Sequence, residues 1–155
     1  MKRIVCIGNR DVDRDAAGPV VHDRLKRSTL PPDVEVCEGG LVGLDLLRFV
    51  EGAERVVFVD AVWEASGGGG IAVYTAEAVA ATAEAAYGHA AGLAYALRMM
   101  PLVCEGPLPE ILVVGMEGEA DKRAVAAAAE ICVTLAVEGW DADMLRCAAR
   151  VEGAA

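Results

Sequence analysis

Three side chains far apart in the sequence could form one reactive centre: Asp15, Asp60 and His89. Asp60 closes the run Arg55-Val56-Val57-Phe58-Val59, and a carboxylate at the end of a buried strand is costly unless it is paired, opens into a cleft or binds a cation. Asp15 ends the acidic loop that follows Gly8-Asn9, and His89 follows Gly88 at the expected start of a helix. Two carboxylates and one imidazole suit an open site for a divalent transition metal. Taken singly, each carboxylate is equally well explained as a helix cap or a loop hydrogen bond. A lone histidine at a helix start is more often a surface or capping residue than a ligand. Glu38-Gly39-Gly40 forms a third group of polar and small residues at an expected strand end.

Other chemistries fit less well. The serines are Ser28 and Ser66, and neither sits in a G-x-S-x-G elbow. Cys104 lies in an apolar, proline-bounded stretch with no evident activating neighbour, which argues against pairing with His89 as a nucleophile. Gly8-Asn9-Arg10-Asp11-Val12 lacks the glycine spacing of a dinucleotide cradle, and its acids would repel phosphate, so no nucleotide is expected. His22 lies among charged residues and reads as solvated.

The elements that must carry these residues alternate. Lys2 to Gly8 reads as a strand, and a helix follows from Pro19, with Val21 and Leu25 at helical spacing. Val34 to Glu38 alternates and stops at the glycine pair, and Leu44 to Glu51 is apolar on one helical face. Arg55 to Ala61 is a consecutive apolar run, the pattern of a central strand covered on both faces. Gly67 to Gly70 is a flexible connection into a strand at Ile71 to Tyr74, while Ala76 to Ala86 is ambiguous. His89 to Met100 reads as a helix stopped by Pro101, Glu110 to Met116 as a fifth strand, and Glu119 to Glu138 as a long helix ended by Gly139. Trp140 to Val151 is a weaker helical tail. The expected architecture is a three-layer α/β/α sandwich with a mostly parallel, twisted sheet of about five strands, of the phosphorylase/hydrolase-like kind. In such folds ligands gather at the strand carboxyl ends, where these polar groups fall.

The chain has 155 residues, about one domain's worth, so residues 1–155 are expected to form a single domain. With 55% hydrophobic residues it can bury a sizeable core. Fourteen Lys and Arg against 24 Asp and Glu give a formal charge of −10, and no basic stripe is present, so nucleic acid is not an expected partner. Charged residues interrupt every long apolar stretch, so no membrane span is expected. The apolar run after Met1-Lys2-Arg3 is too short for a signal peptide, and the cytoplasm is the expected location. Five cysteines without a C-x-x-C are expected to be reduced and mostly buried.

Several landmarks occur together in order: Gly8-Asn9, an acidic loop and Gly18; Glu38-Gly39-Gly40 with Gly43-Leu44-Asp45-Leu46-Leu47; Val57-Phe58-Val59-Asp60-Ala61; His89-Ala90-Ala91-Gly92-Leu93; and Pro109 leading into Ile111-Leu112-Val113-Val114-Gly115. In these the chain resembles the hydrogenase maturation endopeptidases, which remove the C-terminal extension of the nickel-iron hydrogenase large subunit after nickel insertion. The resemblance implies a peptidase whose partner is the large-subunit precursor, with nickel supplied by that precursor as the recognition element. It further implies that Asp15, Asp60 and His89 contact the metal and serve the reaction, with Asn9, Glu38, Gly39 and Gly40 orienting the site or positioning substrate. Arg14 and Ala16 stand where the family has an acid and a glycine, Leu41 replaces its threonine, and the proline after Gly115 is missing. These departures keep open a second reading, a nickel-binding maturation scaffold that docks on the precursor without cleaving it.

Overall fold

The computed structural model describes residues 1–41, 43–62, 70–82 and 89–140, without the side chains of residues 44 and 89–91. The tail from 141 onward and the glycines at 67–69 lie outside the described residues.

Strands β1 (Lys2–Ile7), β2 (Val34–Gly40), β3 (Arg55–Val62), β4 (Gly70–Thr75) and β5 (Glu110–Glu117) form one sheet in the order β2-β1-β3-β5-β4. The first four in that order run parallel, and β4 lies antiparallel to β5 at the edge. Helices α1 (Ala17–Lys26), α2 (Leu47–Val50), α3 (Ala76–Ala80), α4 (His89–Val103) and α5 (Lys122–Glu138) complete the fold.

The period-2 alternation of strand side chains divides the core in two. Ile4, Cys6, Val57, Val59, Leu112 and Val114 point to one face, where they meet Val21 and Leu25 of α1 and Val125, Ala128 and Cys132 of α5. Val5, Ile7, Val56, Phe58, Ile111 and Val113 point to the other, against Leu46, Val50 and the α4 residues Leu93, Leu97 and Met100. The expected α/β/α sandwich is the observed one, and the consecutive apolar runs of β1, β3 and β5 are its cause: both faces of the central strands are covered.

Three local expectations need correction. The Leu44 to Glu51 helix is a 3₁₀ turn at Leu44–Leu46 followed by a single α turn. The α4 helix does not stop at Pro101 but runs to Val103. Proline removes one backbone donor there, yet the Cys104 amide still donates to the Met100 carbonyl at 2.9 Å, so the last turn closes around it. The α5 helix begins at Lys122, not Glu119, because the Asp121 side chain caps it by accepting from the Ala124 amide at 2.8 Å.

Candidate functional site

The C-terminal ends of β1, β2 and β3 lie side by side, and each delivers a polar group. Between β1 and β2 the register slips: Cys6 is opposite Glu38, but Ile7 is opposite Gly40, so Gly39 is an extra residue that bends β2 at its end. The Gly8 amide donates to the Gly40 carbonyl at 3.0 Å and joins the first loop to this bulge.

The first loop then folds back on itself. Gly8 has φ of 141°, and a Cβ there would come within 2.1 Å of the Asp15 carbonyl oxygen, so only glycine lets the loop close. The Asn9 amide donates to both the carbonyl and the carboxylate of Asp15, each at 3.0 Å. The Asn9 side chain accepts from the Asp11 amide at 2.9 Å, holding the turn. Asp15 ends a 3₁₀ turn, Asp13–Asp15, that packs against β3.

Asp60 is the one charged residue buried in the core among the described residues, 7% exposed. By strand alternation it points to the face covered by α4. One carboxylate oxygen accepts from the Ala61 amide at 2.8 Å. Burial, followed by the charge of Asp15, pushes its pKa from the ordinary carboxylate range up to about 7, against the smaller opposing effect of the Ala61 hydrogen bond. A buried carboxyl raised in this way keeps its proton up to near neutrality, where a carboxyl can exchange a proton with a neighbouring group.

Asp15 and Asp60 are thus brought together, with Asn9 beside Asp15. The backbone of His89 begins α4, whose other end at Cys104 lies beside Glu51 and Gly52, just before β3. A helix of 15 residues runs about 22 Å, so α4 starts at the carboxyl-end side of the sheet, on the face that carries Asp60. The His89 side chain lies outside the described residues. Among the described residues no three His, Cys, Asp or Glu side chains gather as a metal cluster, so two members of the expected three are defined.

Glu38 points elsewhere. It accepts from Nε of Arg10 at 3.0 Å, while the two terminal nitrogens of Arg10 donate to both oxygens of Asp23 on α1, at 2.8 and 2.9 Å. The one sequence signal for this role is an arginine directly after Asn9 in a loop that also holds Asp11, Asp13, Arg14 and Asp15; its partners have no local signature. His22 also departs from expectation: its side chain is 12% exposed, its Nδ1 is buried, and the nearest acid is Asp23 at 3.5 Å. An inward helical position turns it away from solvent although its sequence neighbours are charged.

A family model described as hydrogenase maturation protease matches residues 19–136. The chain belongs to this family. Hydrogenase maturation proteases hydrolyse a peptide bond, so the chain is a peptidase. The match includes Glu38, Asp60 and His89, while the loop with Asn9 and Asp15 precedes it. No curated protein matches the chain. Among solved structures, the hydrogenase maturating endopeptidase HybD of E. coli superposes with a TM-score of 0.70 at 23% identity, over 84% of this chain and 89% of that one. The [NiFe] hydrogenase maturation protease HybD of Thermococcus kodakarensis gives 0.67 at 25% identity, over 88% and 99%. The HycI maturation protease of the same organism gives 0.61 at 22%, over 87% and 89%. Among the described residues no helix is long and apolar enough to cross a membrane.

Proposed function

We propose that this hydrogenase maturation protease removes the C-terminal extension of a nickel-iron hydrogenase large-subunit precursor, and that the nickel already in that precursor is what it recognises. The supporting observation is the Asp15–Asp60 pair at the carboxyl ends of the central strands, one carboxyl buried and proton-holding near neutral pH, the other tied to the Asn9 amide. A related [NiFe] hydrogenase maturation protease of the same fold supports the substrate class.

In this reading nickel belongs to the substrate. Asp15, Asp60 and His89 supply the carboxylate and imidazole donors that such an ion accepts, and docking on it sets the scissile peptide in the cleft. Ionised Asp60 takes a proton from the attacking water, the water oxygen bonds to the peptide carbonyl carbon, and the C–N bond breaks as the leaving amine receives that proton. Asn9 holds the Asp15 carboxylate through its backbone amide. Gly39 and Gly40 form the bulge that keeps the first loop in place.

The test is intact mass spectrometry of the cognate precursor, nickel-loaded and nickel-free, after incubation with the enzyme. Loss of a C-terminal peptide from the loaded form alone is the expected result. Asp60→Ala and His89→Ala should each slow it about 100-fold or more. Unchanged processing by both variants would refute the assigned roles. A stable complex whose precursor is never shortened would favour the docking scaffold.

A further inference from the structure

Arg10 is not one of the expected site residues, yet it sits in the loop that carries Asn9 and Asp15 and ties that loop to β2, which carries Glu38, and to α1. Its guanidinium spends three N–H groups on two carboxylates from two different elements: Nε to Glu38 at the end of β2, and the terminal pair, in parallel bidentate geometry, to Asp23 on α1. The backbone between these anchors is the loop that leads to Asp15. The base of the loop is held by the Gly8 amide on Gly40 and by the Asn9 amide on Asp15. Val12, in the outer part, is exposed. Arg10 therefore fastens the loop sideways to its two neighbours. It also occupies Glu38, whose charge would otherwise add to Asp11, Asp13 and Asp15 along this rim.

We infer that Arg10 is a positioning residue of the peptidase site: by bridging Glu38 and Asp23 it fixes the loop that presents Asp15 to Asp60. The inference rests on the functional reading above. Isolated surface ion pairs contribute little, but a fork shared between two acids fixes orientation as well as charge. Lysine could reach one of these acids but could not bridge both in this geometry. Because Arg10 acts through the loop and not on the peptide, its loss should lower turnover and leave half-saturation by substrate nearly unchanged.

The experiment compares wild type, Arg10→Gln, Arg10→Lys, the Asp23→Asn/Glu38→Gln double variant and the triple variant combining it with Arg10→Gln. Lys2→Gln, which removes the Lys2–Asp33 pair at the opposite end of the sheet, is the control. Single-turnover processing of nickel-loaded precursor gives the rate and the half-saturation, and amide hydrogen exchange over residues 9–15 gives the order of the loop without substrate. Arg10→Gln should lose about tenfold or more in rate, with half-saturation within about twofold and faster exchange at Asn9, Val12 and Asp15. Arg10→Lys should recover part of both, and the triple variant should be no slower than the double, because the partners are already gone. Wild-type rate and exchange in Arg10→Gln would overturn the inference, as would the same fractional rate loss from Arg10→Gln in the double-variant background. Since exchange needs no substrate, a wild-type enzyme that fails to process any loaded precursor would refute the functional reading, while the exchange of Arg10→Gln would still decide whether Arg10 holds the loop. If Arg10→Gln does not fold, Arg10→Lys and the double variant carry the same comparison.

Discussion

Asp60 carries two opposed demands, ionisation for the part in the reaction proposed for it and burial for packing, and its titration exposes both. In the unfolded chain its carboxyl titrates at about 3.9, whereas in the fold it titrates at about 7, chiefly through burial and then through Asp15. A folded-state pKa raised in this way means that the native state holds the proton more tightly. The stabilisation is therefore fully present below about pH 4 and is lost as pH rises through about 7, a difference on the order of 2–4 kcal/mol. Asp60→Asn keeps an oxygen for the Ala61 amide but cannot ionise. Its unfolding free energy should thus match wild type near pH 4 and exceed it by that amount at pH 8, the difference growing between the two. Urea denaturation of both proteins at several pH values checks this, and parallel profiles would mean that Asp60 is ionised throughout.

At the scale of elements, the opposite end of the sheet is held by a staple. Arg55 at the start of β3 pairs with Glu110 at the start of β5 and donates to the Ala136 and Val137 carbonyls in the last turn of α5, at 2.8 and 3.1 Å. Glu110 in turn accepts from the Trp140 amide at 3.1 Å. These carbonyls are among those a helix end leaves without intrahelical partners, so Arg55→Gln should cost about 1–3 kcal/mol and speed amide exchange in the last turn of α5. Since Arg55 lies at the far end of β3, the titration of Asp60 should not move. A shifted Asp60 midpoint would show that the staple is coupled to the site through the strand. Elements of this kind were unevenly legible. The buried strands β1, β3 and β5 could be read because apolar runs report burial on both faces, and Asp60 stood out as the charge that ends one. The antiparallel direction of β4 could not be read, since a Gly-rich connection is compatible with either direction. The persistence of α4 through Pro101 depends on packing against the sheet, which outweighs a single missing donor. Arg10's partners, 13 and 28 residues away, and the partial burial of His22 are tertiary facts with no local signature.

Across the whole molecule, β1 lies inside the sheet between β2 and β3, and α5 covers one face of it, so each depends on the other for burial. Cys6 on β1 and Cys132 on α5 report on that dependence. Both are fully buried in the same core layer, and burial pushes the Cys6 thiol up to about 12 and that of Cys132 well above its usual range. A thiol must be both exposed and ionised to be alkylated, so neither reacts until the fold opens. Cys37 on β2 and Cys104 after α4 are only partly buried and need no such opening. Among the four cysteines of the described residues, iodoacetamide labelling at pH 8 with peptide mapping should modify Cys104 and Cys37 first. Cys6 and Cys132 should follow together, at one slower rate that matches global unfolding and rises equally for both with low urea. If Cys132 were modified well ahead of Cys6, α5 would have to leave the sheet as a separate unit. The β1–α5 layer would then not be a single cooperative core, and the Arg55 staple at the end of α5 would be the first contact to suspect.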